Sequence, residues 1–273
     1  MKNKGTIAAL LVILLAGVGL FFAFRGQDQA PPPAPPDTTA SELWHSSAST
    51  STATTTGTEP MTKSGYPYDY PGIVPAVAAV PADPYMICVN RQFALPSGYS
   101  DNVSLAVCVE IYPENLEMER TAAARYLAMY DAAKADGAEL VPYSGFRSTQ
   151  HQKNNFDRKI QSLVGQGYTR EQAVNMTALT INPPGCSEHE TGLAMDITRP
   201  GVWDAVDSFK DSREYAWLMA HAQDYGFILR YPEGKKDVTQ VEYEPWHWRY
   251  VGVENAKAIK ASGKCLEEYL GVN

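Results

Sequence analysis

The segment Ser187-Glu-His-Glu-Thr-Gly-Leu-Ala-Met-Asp196 is the stretch of the sequence on which the fold and the chemistry depend. It places an imidazole, His189, and a carboxylate, Asp196, on either side of a glycine. Residues Gly192 to Thr198 alternate in the manner of a β-strand, so Asp196 should point away from the apolar residues that flank it. The segment therefore predicts a strand that presents a carboxylate close to a histidine.

A second segment, Glu244-Pro-Trp-His-Trp-Arg-Tyr-Val-Gly252, contains the same residue types, with a carboxylate three residues before an imidazole. Two histidines and an aspartate, His189, Asp196 and His247, can form a three-ligand zinc set that leaves a fourth position for water. A further glutamate, Glu244, could take a proton from that water. Each residue alone could equally be a structural histidine, a turn cap or a solvated strand residue, and only the pairing of two segments favours a metal site.

The composition excludes several classes of protein. The chain has 273 residues, with 23 Lys and Arg against 31 Asp and Glu, and its net charge is −8. Its 44% hydrophobic content is close to that of globular proteins and excludes a collagen, a wholly disordered chain and a polytopic membrane protein. The acidic balance argues against a nucleic-acid partner, since phosphate binding needs a basic surface.

The N-terminal run from Gly5 to Phe24 carries no charge and is long enough to cross a bilayer as a helix. Lys2 and Lys4 precede it, so the positive-inside rule places the N-terminus in the cytoplasm. We expect residues 1–25 to be a single-pass membrane anchor, with the rest of the chain outside the cell. The alternative is a cleaved signal peptide.

Residues 26–84 predict a linker. A proline-rich tract from Ala30 to Pro36 is followed by a Ser/Thr-rich stretch from Thr38 to Thr58, and neither composition can form a core. The stretch from Tyr66 to Pro84 contains five prolines, which prevent a long helix. Its tyrosines leave open the alternative that part of 66–84 packs on the domain as an extended arm.

Residues 85–273 are long enough for one core and mix helix and strand patterns in irregular order, which predicts a single α+β domain. Strands are expected at Ala138–Phe146, Gly192–Thr198, Phe227–Tyr231 and Tyr243–Val251. Helices are expected at Pro113–Asp136, Ser148–Val164, from a capping box at Thr169, at Ser212–Tyr225 before Gly226, and at Glu254–Ser262 before Gly263.

The four cysteines allow three pairings. An extracytoplasmic location would favour disulfides. Cys88 and Cys108 flank a predicted hairpin, so we expect that pair, with Cys186–Cys265 as the second. A nucleophilic Cys186 beside His189 and an inert thiol remain as alternatives.

Three strings carry a resemblance to a known family. SxHxxGxAxD, present as Ser187 to Asp196, resembles the zinc signature of the VanY-type D-alanyl-D-alanine carboxypeptidases, which are M15 metallopeptidases of the LAS group. ExxHxRYVG, present as Glu244 to Gly252, resembles their second signature, and SGFRSxxxQ, Ser144 to Gln152, resembles a third. The resemblance extends over residues 85 to 268 in the family's order, including the LdcB-like branch.

The resemblance implies a compact zinc-peptidase domain with a central antiparallel sheet flanked by helices. In it, His189, Asp196 and His247 would bind Zn²⁺, and Glu244 would activate the zinc-bound water. Arg147 matches an arginine that stabilises the developing oxyanion.

Substrate contacts are implied for Ser144, Gln152 and Ser187. For Arg147 and Ser144 the alternative is a loop before a helix and its cap. The tryptophans Trp246 and Trp248 either wall the pocket or pack in the core, and we expect the core for at least one of them.

The implied activity is removal of the C-terminal D-alanine from peptidoglycan stem peptides, by D,D- or L,D-cleavage, in a monomer at the cell membrane. Two alternatives remain at this point. The chain could be a non-catalytic peptidoglycan-binding or sensor module that retains the zinc fold. It could also be an endopeptidase that cuts peptidoglycan cross-links.

Overall fold

The computed structural model describes residues 66–110, 115–202 and 205–272. The predicted anchor and the linker residues 26–65 lie outside this range. Within the range, none of the helices combines the length and the apolar character that crossing a bilayer requires.

A four-stranded antiparallel sheet, in the order β5-β6-β8-β7, forms the centre of the fold. Two short pairs accompany it, a parallel β1–β2 and an antiparallel β3–β4. The strands are β1 (Ala76–Val77), β2 (Phe93–Ala94), β3 (Leu105–Val109), β4 (Leu116–Glu119), β5 (Val141–Ser144), β6 (Ala194–Thr198), β7 (Phe227–Leu229) and β8 (His247–Tyr250). The helices are α1 (Arg120–Ala135), α2 (Thr149–Gly165), α3 (Arg170–Thr177), α4 (Arg213–His221), α5 (Lys236–Thr239), α6 (Val253–Ser262) and α7 (Leu266–Leu270). The expected mixed fold with a central antiparallel sheet is confirmed.

Most predicted helix ends are found where their caps place them. The Ser148 side chain accepts the backbone N–H of His151 at 3.2 Å and begins α2. Thr169 and Gln172 form the expected capping box of α3. Gly263 ends α6 in the left-handed conformation. The predicted helix from Ser212 is confirmed as α4, followed by a 3₁₀ turn that extends it to Tyr225.

The prediction of one helix over Pro113–Asp136 is wrong at its start. Residues Leu116–Glu119 form β4 and pair with β3, and α1 begins only at Arg120. Alternation of apolar and acidic residues in Leu-Glu-Met-Glu is a strand pattern, and pairing with β3 favours it over helix. The Glu119 carboxylate then caps α1 by accepting the N–H groups of Thr121 and Ala122 at 2.8 and 3.0 Å.

The main core lies between the sheet and α1. Fully buried side chains from both sides meet there, among them Tyr126 and Met129 of α1, Met195 of β6 and Trp248 of β8. Trp248 is therefore a core residue, as expected for one of the two tryptophans, and Trp246 lines the cleft described below. Because the core holds β6 and β8 from one side, their polar residues are left facing the other side.

The tyrosine-rich end of the predicted linker packs on the domain, which is the alternative left open above. The Tyr70 ring meets Phe156 of α2 edge-on at 4.9 Å, and its hydroxyl donates to Asp157 at 2.8 Å. The Tyr66 hydroxyl donates to the Pro184 carbonyl at 2.8 Å. Tyr70 and Ile73 belong to a second core with α2 and α3. Residues 66–84 are therefore an arm of the domain.

Replacement of Tyr70 by Ala is expected to lower the free energy of unfolding by about 3 kcal/mol, because it empties a buried aromatic site. Urea unfolding of the full chain measures this. Val77→Ala is the control, since Val77 lies in the same arm and is 59% exposed. Unchanged stability in Tyr70→Ala would mean that the arm contributes nothing in solution.

The two predicted disulfides are not formed, and all four cysteines are free thiols. Cys108 lies on β3, whose partner is β4 and not the segment that carries Cys88. Cys265 precedes α7, where its N–H donates to Glu268 at 2.9 Å. Burial raises the pKa of the Cys88 and Cys108 thiols to about 12, and that of Cys186 further. Cys186 is therefore not an activated nucleophile, and the structure supports the inert thiol.

Candidate metal centre

The register of the central sheet places three of the predicted site residues in one row. Ser144 of β5 pairs with Asp196 of β6, and Asp196 pairs with His247 of β8. Residues paired in this way have side chains on the same face of the sheet, about 5 Å apart. The row lies on the face opposite the main core, because Met195 and Ile197 point into that core.

The third predicted ligand, His189, comes from the 3₁₀ turn Glu188–Thr191, which ends at Gly192 with φ of 70°. A Cβ at Gly192 would lie 2.8 Å from the backbone nitrogen of Glu119. A Cβ at Gly145 would lie 2.4 Å from the carbonyl oxygen of Glu117. Both glycines of the sequence motifs are therefore needed because the β4 backbone passes against them.

The three side chains converge so that one ligand atom from each lies within 4.8 Å of the others. His189 Nε2 lies 3.3 Å from Asp196 Oδ2, and His247 Nδ1 lies 3.2 Å from Asp196 Oδ1. All three residues are buried. Asp196 Oδ1 has no partner in hydrogen-bond geometry among the described residues, although it is buried.

The outer nitrogens of the two imidazoles are held by acceptors of the protein. His189 Nδ1 lies 2.7 Å from the Gly145 carbonyl, which can only accept, so Nδ1 carries the proton. His247 Nε2 lies 3.3 Å from the Glu188 carboxylate. His189 Nε2 and His247 Nδ1 therefore face each other across Asp196. Two inward nitrogens, a buried carboxylate and outer acceptors that fix the imidazoles fit a zinc ion.

The charges in the site differ between the two histidines. Burial, with Arg147 nearby, lowers the pKa of His189 to about 4. Burial also opposes a charge on His247, but the carboxylates of Asp196 and Glu188 outweigh it and raise its pKa to about 9. Burial opposes ionisation of Asp196 as well, yet the two histidines hold its pKa well below the usual range. In the absence of a cation, one proton on His247 therefore balances Asp196.

Zinc affinity should accordingly rise by a factor of about ten or more per pH unit between about pH 6 and 8, because zinc must displace the His247 proton and also favours loss of the proton from nearby Glu244. Below the pKa of about 9 the proton is present and competes with the metal. Competition titrations against a chromophoric chelator at three pH values, corrected for the chelator's own protonation, measure the slope. An affinity independent of pH would contradict this assignment of the proton.

Glu244 lies next to the three ligands without joining them. Its Oε2 is 3.7 Å from His247 Nδ1, and burial raises its pKa to about 8. A cation at the ligand set would favour the ionised carboxylate and lower that pKa. Glu244 thus has the position and the proton affinity of a group that exchanges protons close to neutral pH.

Arg147 reaches the site from the loop before α2. Its Nη2 lies 3.9 Å from Asp196 Oδ2, and its Nη1 donates to Gln152 Oε1 at 2.9 Å. Gln152 Nε2 donates in turn to the Asn182 carbonyl at 2.6 Å. The amide of Gln152, predicted as a substrate contact, is therefore engaged on both sides and holds the guanidinium in place.

One cleft of about 980 Å³ joins all the predicted site residues. Its walls include the eight residues that the sequence singled out: Ser144, Arg147, Gln152, Ser187, His189, Asp196, Glu244 and His247. Sequence analysis missed other lining residues, including His151 and Lys159 of α2, Asn182 and Tyr231. The helical spacing of four and eight residues from His151 to Asn155 and Lys159 could have indicated the α2 wall.

Comparisons with known proteins place the same region in a family. The family model described as VanY: D-alanyl-D-alanine carboxypeptidase matches residues 115–253. A D-alanyl-D-alanine carboxypeptidase of Enterococcus faecalis is 38% identical over 192 residues, which cover 68% of this chain and 65% of that protein. The chain thus spans slightly less than two thirds of the length of this relative.

The solved structures that are similar to this chain include a D,D-pentapeptidase and an LD-carboxypeptidase. One is the vancomycin-resistance D,D-pentapeptidase VanY, a glutamate-to-alanine mutant in complex with Zn(II). It is 37% identical with a TM-score of 0.58 and covers 68% of this chain and 98% of that chain. The other is the LD-carboxypeptidase LdcB, 33% identical with a TM-score of 0.60, covering 75% of this chain and 92% of that chain. The residues that line the cleft, from Tyr143 to His247, all lie within the range that the family model matches.

Proposed function

The chain belongs to the VanY family of D-alanyl-D-alanine carboxypeptidases, and we propose that it is a zinc-dependent carboxypeptidase that removes the C-terminal D-alanine from peptidoglycan stem peptides. The observation that carries the proposal is the convergence of His189, Asp196 and His247 beside the buried Glu244 in one cleft. The position of Glu244, beside the ligand set but not part of it, favours an enzyme over a binding module, because binding alone needs no proton acceptor next to the metal.

Zinc held by the three ligands would supply Lewis-acid chemistry, by polarising a carbonyl and acidifying water. Glu244 has the remaining task of moving the proton. Its carboxylate accepts a proton from the attacking water and later donates it to the departing amine of the D-alanine product. Burial suits this double role, because a pKa near that of the surrounding solution allows the carboxyl to gain and lose the proton.

Arg147 supplies the positive charge for the developing oxyanion. Its guanidinium donates to Gln152 at 2.9 Å, and its backbone N–H donates to the His189 carbonyl at 3.1 Å, so both the head and the base of the side chain are held at the site. Its Nε has no hydrogen-bond partner among the described residues. A prearranged donor of this kind contributes about 3 kcal/mol to transition-state stabilisation.

The proposed location is the outer face of the cell membrane. It rests on the uncharged run from Gly5 to Phe24 and the preceding lysines, and on the peptidoglycan substrate of the proposal. Extracytoplasmic exposure would bring the cleft to the cell wall, where stem peptides occur.

Mass spectrometry of pentapeptide and tetrapeptide muropeptides incubated with the full chain tests the proposal. We expect loss of one alanine, abolished by chelation and restored by zinc. Release from the pentapeptide indicates D,D-cleavage, and release from the tetrapeptide indicates L,D-cleavage. Binding of either peptide without cleavage would support the binding module instead. Cross-linked dimers are incubated in parallel, and cleavage of these alone would support the endopeptidase.

A further inference from the structure

A buried chain of charged side chains begins at the outer nitrogen of His247. Glu188, which is wholly buried, has its Oε2 at 3.3 Å from His247 Nε2. Its other oxygen, Oε1, accepts Arg230 Nε and Arg249 Nη1, each at 2.6 Å. The carboxylate that holds the imidazole is therefore itself held by two guanidinium groups.

Arg230 extends this buried chain of charged side chains to the C-terminal helix α7. Its Nη1 and Nη2 donate to the two carboxylate oxygens of Glu267 at 2.8 and 2.6 Å. Asn90 Nδ2 donates to the same carboxylate at 3.0 Å. Arg230 thus uses one edge of its guanidinium for Glu188 and the other for Glu267, which fixes the plane of the group between two carboxylates.

Arg249 connects Glu188 to the polypeptide backbone. Its Nη2 donates to the carbonyls of Tyr85 and Ile87 at 2.8 and 2.9 Å, and its Nε donates to the Tyr250 carbonyl at 2.9 Å. Both arginines therefore have partners on rigid backbone or on buried carboxylates, and neither can turn without leaving a buried charge unpaired.

This arrangement is poorly explained as a device for stability. Removing four charged groups from water costs several kcal/mol for each ion, and packed apolar side chains of similar volume often serve stability equally well. What the charged groups provide is direction, since the ion pairs and hydrogen bonds fix where each carboxylate oxygen points. Glu188 Oε2, at the end of the buried chain of charged side chains, points at the proposed metal ligand His247.

We propose that Glu267 is a positioning residue for the metal centre. By holding Arg230 it fixes Glu188, and Glu188 holds His247 with Nδ1 turned toward Asp196. Docking of α7 is therefore required for full zinc affinity, although no residue of α7 is among those that line the cleft. The inference goes beyond the proposed reaction, because it concerns metal affinity and is tested without substrate.

The experiment compares Glu267→Gln with Glu268→Gln in the full chain. Both change one carboxylate of α7 to an amide, but Glu268 pairs with Lys235 at 2.8 Å and the Cys265 N–H, outside the buried chain. Zinc dissociation constants from chelator competition are expected to rise on the order of tenfold in Glu267→Gln, the lower end of what outer partners of a ligand contribute. They should stay unchanged in Glu268→Gln. The visible spectrum of the cobalt-substituted protein should shift only in Glu267→Gln.

A purely structural role gives a different result. Glu267→Gln would then lower the unfolding temperature of the metal-free protein but leave the zinc dissociation constant and the cobalt spectrum unchanged, which would overturn the proposal. An equal loss of affinity in Glu268→Gln would overturn it as well.

Should Glu267→Gln fail to fold, Asn90→Ala replaces it, because it removes the hydrogen bond to Glu267 and leaves no charge unpaired, although it also removes the two that Asn90 Oδ1 accepts from the backbone N–H groups of Gln92 and Phe93. The proposal requires a loss of zinc affinity in Asn90→Ala in the same direction. An unchanged dissociation constant in that variant would overturn it.

Discussion

Glu244→Gln should lower kcat by about 10²- to 10⁴-fold while zinc remains bound. The amide keeps the shape of the side chain but cannot accept and return a proton. Glu244 lies 3.7 Å from His247 Nδ1 and is not part of the three-residue ligand set, so the metal content should not change. Turnover of a muropeptide and the zinc content of the purified variant are the two measurements.

The matched control is Glu254→Gln, ten residues later in the chain. Glu254 is exposed in the first turn of α6 and does not line the cleft, so the same substitution should leave turnover and zinc content close to those of the unmodified protein. Loss of zinc in Glu244→Gln would make Glu244 a ligand. Retained turnover in that variant would remove it from the reaction.

Asp196→Asn should strongly weaken zinc binding and lower turnover with it, which makes it the second of the two largest effects. The neutral amide can no longer balance a cation between the two inward nitrogens. If the binding free energy of a zinc site is shared among its ligands, losing one costs about 4 kcal/mol, or a factor on the order of 10³ in affinity. Equilibrium dialysis with zinc at neutral pH measures this directly.

Asp237→Asn provides the comparison for that experiment, because Asp237 lies in the first turn of α5 and does not line the cleft. Its zinc affinity should be that of the unmodified protein. An Asp196→Asn variant that binds zinc as tightly as the control would show that the metal lies elsewhere.

The site could be predicted from the sequence because its residues lie in short motifs whose local structure is regular. Alternation in β6 gave Asp196 the opposite face from Met195, and the register with β8 then placed His247 beside it. The residue types of the motifs indicated a possible metal site, and the family resemblance implied His189, Asp196 and His247 as ligands with Glu244 beside them. Their roles in turnover remain predictions until the variants are measured.

The parts that were missed depend on contacts between distant segments. Glu188 stands next to His189 in the sequence, but its importance comes from Arg230 and Arg249, which lie about 40 and 60 residues further on. In the sequence, a buried arginine such as Arg249 fits the polar–apolar alternation of a half-exposed strand. Only the contacts with its partners show that it is buried. The predicted start of the first helix at Pro113 was wrong. The four alternating residues of β4 are a weaker pattern than the long apolar face of α1 that follows them, so the helix pattern was extended over the strand.

The four free thiols can serve as natural probes of local unfolding. Each is at least partly buried, with a raised pKa, so an alkylating reagent should react only when the surrounding structure opens. Cys108 reports on the main core, Cys186 on the loop that precedes His189, and Cys265 on the start of α7. Peptide mapping of the labelled cysteines over time would therefore show in what order these regions open, without introducing a single substitution. Folding needs no oxidation step, so such a preparation can be made in a reducing cytoplasm.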